Sequence, residues 1–262
     1  MSSLNHVRSG SGEPLILIHG TGSRLQVWDP VVPALRNHFD VVAVDLPGFG
    51  QTPASGAGTV GSLTGAVADF ADELGLQRPH VAGNSVGGSI ALELAARGVA
   101  RSATAFSPTA FWSTSGNLWF QAAMRGVHGL GTALRPALPA LLGNRVGRTA
   151  LFGLFVGKPW HLDPRTAHED ATGVLDAAGF AALMRSLRTY SARTGVADVP
   201  VTIAWGARDH LLTYRTQSRR ARAALPNANH TTLARCGHIP FYDDPEQCVA
   251  TILATASWKA TS

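Results

Sequence analysis

The stretch Val81-Ala82-Gly83-Asn84-Ser85-Val86-Gly87-Gly88 constrains this chain more than any other. An apolar run from Pro79 to Ala82 predicts a short buried strand, and the segment Ile90 to Ala96 predicts a buried helix. Between them lies a G-x-S-x-G pattern. A serine at such a strand-to-helix corner is held on a strained turn with its hydroxyl pointing away from the sheet. Gly83 and Gly87 flank it because a Cβ at either place would crowd the turn, and Gly88 lets the helix lie close to the strand. The helix N-terminus just past Ser85 offers free N–H groups and a positive dipole end to a developing negative charge. The plain alternative is a glycine-rich turn with a capping serine. A chain with 28 Gly meets the pattern easily by chance, so other stretches must decide.

Those stretches follow in chain order. Pro14-Leu-Ile-Leu-Ile-His19-Gly20 is a continuous apolar run, which suits a strand buried on both faces of a parallel sheet. The run Val41 to Val44 ends in Asp45-Leu46-Pro47-Gly48-Phe49-Gly50, a tight turn. Leu63, Val67, Phe70, Ala71 and Leu74 recur at helical spacing before Gly75. Strands are expected at Ser102–Ser107, Val199–Trp205 and 229–234, with a helix over 214–224. Asp244 as N-cap, Pro245 and Gln247 open the last helix, and Asp243 reads as a cap beside it. Alternating strands and helices imply an α/β fold: a mostly parallel sheet with helices on both faces. Residues 112–185 hold no buried-strand run. They are rich in Leu, Ala, Gly and aromatics and broken by Pro136, Pro139, Pro159 and Pro164, as expected of an inserted helical cap. The expected organisation is a core of 1–111 and 186–262 with the cap at 112–185.

In such a sheet the chemistry gathers beyond the carboxyl ends of the strands, and His19-Gly20, Asp45, Ser85, Asp209 and His238 all follow predicted strands. A serine hydroxyl needs a base within hydrogen-bond reach, and the base needs an orienting acid. His238, in Cys236-Gly237-His238-Ile239-Pro240 after the last strand, is the candidate base. His80 starts the elbow strand at its far end, and His210 adjoins its own acid. His19 is expected to pin the oxyanion loop rather than move protons. Asp209, after Gly206-Ala207-Arg208, is the candidate acid, and its alternative is a turn residue. The order Ser85, Asp209, His238 is the order Ser, acid, His. An oxyanion needs two donors, expected from the backbone N–H of Val86 and of Thr21.

Together, His19-Gly20-Thr21-Gly22, Asp45 to Gly50, Gly83 to Gly88, Gly206 to Asp209 and Gly237-His238 resemble the α/β-hydrolase fold superfamily, in its cap-bearing serine hydrolase branch. The resemblance spans about 12 to 258. It implies an eight-stranded sheet, a cap between the sixth and seventh strands, and no cofactor. It also implies cleavage of a carboxylic ester of an apolar acyl or ring-bearing substrate through a Ser85-His238-Asp209 triad and an acyl-enzyme. Gly-Asn-Ser-x-Gly-Gly also resembles hydrolases that cleave carbon–carbon bonds in ring-fission products, but Gly22-Ser23-Arg24 departs from their Gly-Pro-Gly loop. Lactonase, amidase, acyl-transfer and perhydrolase chemistry use the same triad. Haloalkane dehalogenases and epoxide hydrolases of this fold use an aspartate where Ser85 stands. A non-enzymatic ligand-binding protein of this fold would typically lack a triad member.

Composition narrows the partners. Cys236 and Cys248 make no disulfide framework and fit no zinc spacing, so no metal is expected, and Cys236 reads as a small core residue. The net charge of +5 raises the question of nucleic acid. The arginines are scattered, the densest group being Arg215, Arg219, Arg220 and Arg222 on a predicted surface helix without aromatics, and lysine is confined to Lys158 and Lys259. That is a solvated face, and no nucleic-acid partner is expected. Met1 to Glu13 lacks an apolar signal region and no apolar run reaches membrane-spanning length. The expectation is a cytoplasmic protein with a small-molecule substrate and no stable membrane insertion.

Overall fold

A computed structural model describes residues 4–191 and 199–258. The ends of the expected core segments and Lys259 lie outside the described residues. Seven strands form one sheet among the described residues: β1 (His6–Gly10), β2 (Glu13–Ile18), β3 (Phe39–Val44), β4 (His80–Asn84), β5 (Ser102–Phe106), β6 (Val201–Gly206) and β7 (Asn229–Leu233). Their order is β1-β3-β2-β4-β5-β6-β7, with β1 antiparallel to β3 and every other pair parallel. The family resemblance implied eight strands, and the sheet has seven. β1 was not anticipated, because its HVRSG sequence has no apolar run and sits half-exposed at the edge.

The continuous apolar runs are explained by burial on both faces. Ile16, Ile18, Val42, Val44, Val81, Ala103, Ala105 and Ile203 enter one hydrophobic cluster. Their neighbours Leu15, Leu17, Val41, Ala43, Ala82, Phe106 and Ala204 enter another. That alternation is the period of two of a pleated strand. The first face is covered by α2 (Val60–Glu73) and α3 (Val86–Ala96), the second by the short α1 (Val32–Leu35). Between β5 and β6 the chain leaves the sheet for α4 (Thr114–Ala133), α5 (Leu138–Leu142), α6 (Arg145–Phe152), α7 (Pro164–Asp176) and α8 (Phe180–Ser186). This helical insert therefore follows the fifth strand. It carries a cluster of its own, built from Leu138, Leu142, Phe152, Val156, Leu162 and Ala167. After β6 come α9 (Tyr214–Ala224) and, on the second face, α10 (Pro245–Ser257).

The helix boundaries have local causes. Thr59 and Ser62 form a capping box at α2, and Asp244 accepts from Gln247 N–H at 3.0 Å to start α10. Pro245 takes the first position of α10, where its missing N–H costs nothing. No helix among the described residues is long and apolar enough to cross a membrane.

Candidate active site

The parallel strands end in register. Ile18 pairs with Gly83, Asn84 with Phe106, and Gly206 with Leu233, so the loops after β2, β4, β6 and β7 open on one edge of the sheet. That edge brings together His19, Gly20, Thr21, Ser85, Val86, Asp209 and His238. Asp45 follows β3 but has a scaffold role. Its carboxyl accepts from Leu25 N–H, Gln51 N–H and Asn5 Nδ2, which fixes the turn after the strand.

Ser85 joins β4 to α3 with φ 57° and ψ −117°, in the left-handed region that a side chain resists. Its side chain does not cap the helix. That removes the capping-serine alternative. A Cβ on Gly83 would overlap the Gly87 carbonyl, and one on Gly87 would overlap the carbonyls of Ile18 and His19. The corner therefore needs both glycines. Val86 is the first residue of α3, so its N–H has no partner within the helix.

The loop after β2 is held from behind. Leu46 N–H donates to His19 Nε2 at 3.0 Å, so that nitrogen is an acceptor. His19 Nδ1 therefore carries the proton and donates it to the Gly20 carbonyl at 2.8 Å. Burial holds His19 below the usual imidazole range, in keeping with this neutral tautomer. Ser23 N–H also donates to the Gly20 carbonyl, at 3.2 Å. In a trans peptide the N–H points opposite to the C=O. With the Gly20 carbonyl fixed on His19 and Ser23, Thr21 N–H is turned the other way. A Cβ on Gly20 would come 3.0 Å from Ser85 Cβ, so this loop runs directly beside the serine.

His238 and Asp209 are both buried, and His238 Nδ1 lies 2.8 Å from Asp209 Oδ2. Asp209 Oδ1 accepts from the N–H groups of Leu211 at 3.0 Å and Leu212 at 2.8 Å. Both carboxyl oxygens are thus acceptors. The imidazole proton sits on Nδ1, and Nε2 keeps a free lone pair. Among the described residues the Ser85 hydroxyl has no hydrogen-bond partner, and Ser85 and His238 line the same cavity. Cys236, two residues before His238, is fully buried, and burial pushes its thiol up to about 12, far from a reactive thiolate.

Several residues around this edge were not anticipated. Asn84 donates from Nδ2 to the His238 carbonyl at 2.9 Å, tying the serine corner to the histidine loop. Asp243 is not a helix cap. Its Oδ2 accepts from Gly157 N–H and Gly237 N–H, and its Oδ1 from Lys158 N–H, each at 2.8 Å. Ile239 N–H donates to the Phe155 carbonyl at 2.8 Å. The insert's 155–158 turn is therefore clasped to the loop that carries His238. Burial raises the Asp243 carboxyl above the usual carboxylate range. Two adjacent aspartates before a proline look alike in sequence, and no local signal separates a cap from a partner in the distant insert.

The cavity beside Ser85 has a volume of about 340 Å³. Its floor is Gly20, Thr21, Ser85 and His238, and its walls are insert residues such as Phe120, Met124, Leu138, Phe155 and Val174. Size and lining suit a small, largely apolar ligand. Among the described residues no cluster of three His, Cys, Asp or Glu side chains could hold a metal.

Comparison with known proteins bears on family and fold. The model of the Alpha/beta hydrolase family matches residues 15–251. The chain is 30% identical over 242 residues to the dihydrolipoyllysine-residue acetyltransferase component of the acetoin cleaving system of Cupriavidus necator, covering 90% of this chain. It spans 62% of that relative's length. A shorter match, 38% over 96 residues and 36% of each chain, is to the pimeloyl-[acyl-carrier protein] methyl ester esterase of Aeromonas hydrophila. The enol-lactonase from Burkholderia xenovorans superposes with a TM-score of 0.77 at 22% identity, over 97% of this chain and 96% of that one.

Proposed function

The chain belongs to the alpha/beta hydrolase family, and from that premise we propose that it cleaves a carboxylic ester with a largely apolar body, using Ser85, His238 and Asp209. The observation that carries this is the 2.8 Å contact of His238 Nδ1 with Asp209, beside a serine held at φ 57°. The contact leaves Nε2 as the atom able to take a proton. Ser85 Oγ attacks the ester carbonyl and passes its proton to Nε2. The tetrahedral oxygen settles against the N–H groups of Thr21 and Val86. The intermediate collapses, the C–O bond breaks, and the alcohol leaves with the proton from His238. Water then attacks the acyl-enzyme, again giving its proton to Nε2, and the acid departs as Ser85 regains its hydrogen. The insert closes over this edge as a cap, and its apolar walls favour a small apolar acyl or ring-bearing substrate. Resemblance to an ester-cleaving relative over 96 residues supports the same bond type.

The test is labelling with a fluorophosphonate, which captures activated serines. Wild type should be labelled and Ser85→Ala should not. Equal labelling of the two ends the proposal. A series of p-nitrophenyl esters of increasing acyl length then reports the reach of the cavity.

A further inference from the structure

The cavity wall holds one carboxyl group that the proposed reaction does not use. Apart from the Ser85–His238 corner, Asn84 and the loop Gly20–Ser23, Asp170 is the polar side chain among the lining residues. It sits on α7 with Ala171, Val174 and Leu175, which share its helical face and also line the cavity. Val174 packs on the oxyanion loop, since a Cβ on Gly22 would come 3.0 Å from Val174 Cγ2. Asp170 lies about one helical turn further along, about 6 Å from Val174 by helix rise. It belongs to the insert wall of the cavity, a turn away from the residue that packs on the loop beside Ser85.

The carboxyl is held in one orientation. Tyr242 donates its hydroxyl to Asp170 Oδ2 at 2.8 Å. Oδ1 has no hydrogen-bond partner among the described residues, and Asp170 forms no salt bridge there. Arg24, whose charge acts on Asp170, is engaged with Glu169 at 2.6 Å. An acceptor facing an apolar cavity is costly to leave unmatched when a ligand displaces solvent. A substrate carboxylate would be repelled there. An ammonium group would have to be buried against otherwise apolar walls. A neutral hydroxyl fits both constraints.

We infer that the substrate carries a hydroxyl on its apolar body and that this hydroxyl donates to Asp170 Oδ1. The inference rests on the ester-hydrolase proposal and names its substrate class as hydroxylated esters. The ionisation of Asp170 sets the strength of the contact. Burial raises its carboxyl to about 6, with Glu169 and Asp29 acting in the same direction and Tyr242 and Arg24 opposing. Above that pH the acceptor is charged, and the hydrogen bond is of the stronger, charge-assisted kind.

The experiment compares kcat/KM for p-nitrophenyl ω-hydroxyalkanoates with that for alkanoates of equal length. At the length that reaches Asp170, the hydroxylated member should be favoured by about 10-fold or more at neutral pH. The preference should shrink as the pH falls through about 6. In Asp170→Asn, Tyr242 holds the amide oxygen and the NH2 faces the cavity, so the hydroxyl can only accept a neutral hydrogen bond; the ratio should fall and lose its dependence on pH. In Tyr242→Phe the preference should persist at high pH and disappear at a higher pH than in wild type, because Tyr242 lowers the pKa of Asp170. Equal turnover of both members at every length overturns the inference, as does a preference unchanged in Asp170→Asn. An enzyme labelled at Ser85 that cleaves alkanoates without hydroxyl preference removes the hydroxyl site alone. Absence of both labelling and ester turnover removes the ester proposal and this inference together.

Discussion

Ser85 is held in a backbone conformation that costs about 1–3 kcal/mol for a residue with a side chain. Glycine adopts positive φ freely, so Ser85→Gly should raise the unfolding free energy by about 0.5–2 kcal/mol while abolishing ester turnover. Denaturant midpoints and initial rates on the same preparation check both halves. A less stable Ser85→Gly would show that the corner is not strained. Asp209 supports a second expectation. In Asp209→Asn the N–H groups of Leu211 and Leu212 would keep the amide oxygen at the Oδ1 position. The NH2 would then face His238 Nδ1 and force the imidazole proton onto Nε2. A base already carrying its proton cannot take one from Ser85, so kcat should fall about 10³- to 10⁴-fold with little change in KM. These residues are legible from sequence because each follows a recognisable strand and they fall in a diagnostic chain order. Asp170 is not legible in this way. Its place in the cavity depends on α7 lying over the loop after β2, and the irregular periodicity of residues 112–185 gives no hint of that packing.

The same division holds for whole elements. The buried strands declare themselves because apolar residues on both faces leave uninterrupted runs, as in Pro14–Ile18 and Val41–Val44. The edge strand β1 does not, since only part of it is covered. Helix α10 is announced by Asp244 and Pro245, which act as expected, while Gln247 contributes its backbone N–H to the Asp244 cap. Its neighbour Asp243 has the opposite history, because its three N–H partners come from the 155–158 turn and the histidine loop. In Asp243→Asn the amide oxygen can satisfy the two donors at Oδ2, but the NH2 then meets Lys158 N–H. The loss should be about 1–3 kcal/mol in unfolding free energy. Because Gly237 precedes His238, kcat should also fall more than KM rises. Urea melts with steady-state kinetics read both effects, and an unchanged kcat would mean that the clasp does not position the base.

For the molecule as a whole, burial sets the response to acid. His19, His80 and His230 are all held below the usual imidazole range, chiefly by burial. In the unfolded chain these rings take up protons as the pH falls through about 6.5, and in the folded chain they resist. Their contribution is complete above about 6.5 and is lost progressively below it. Asp170 works in the other sense, but only below its value of about 6. Tm should therefore drop between about pH 7.5 and about pH 6 in calorimetry, and a flat or rising Tm across that interval would contradict this account. The sheet architecture follows from alternation of strands and helices, whereas the strand number came from family likeness, which implied eight where the described residues show seven. How the insert meets the sheet could not be read from the residues, since Asp243 takes backbone N–H groups, which every sequence possesses, and Arg24 and Tyr242 find their carboxylates far away along the chain. The clasp at Asp243 gives this meeting a protective sense. On the proposed reaction, lifting the roof on that side would also loosen the loop that carries the proton acceptor, so a gaping form would idle instead of admitting water to a primed serine.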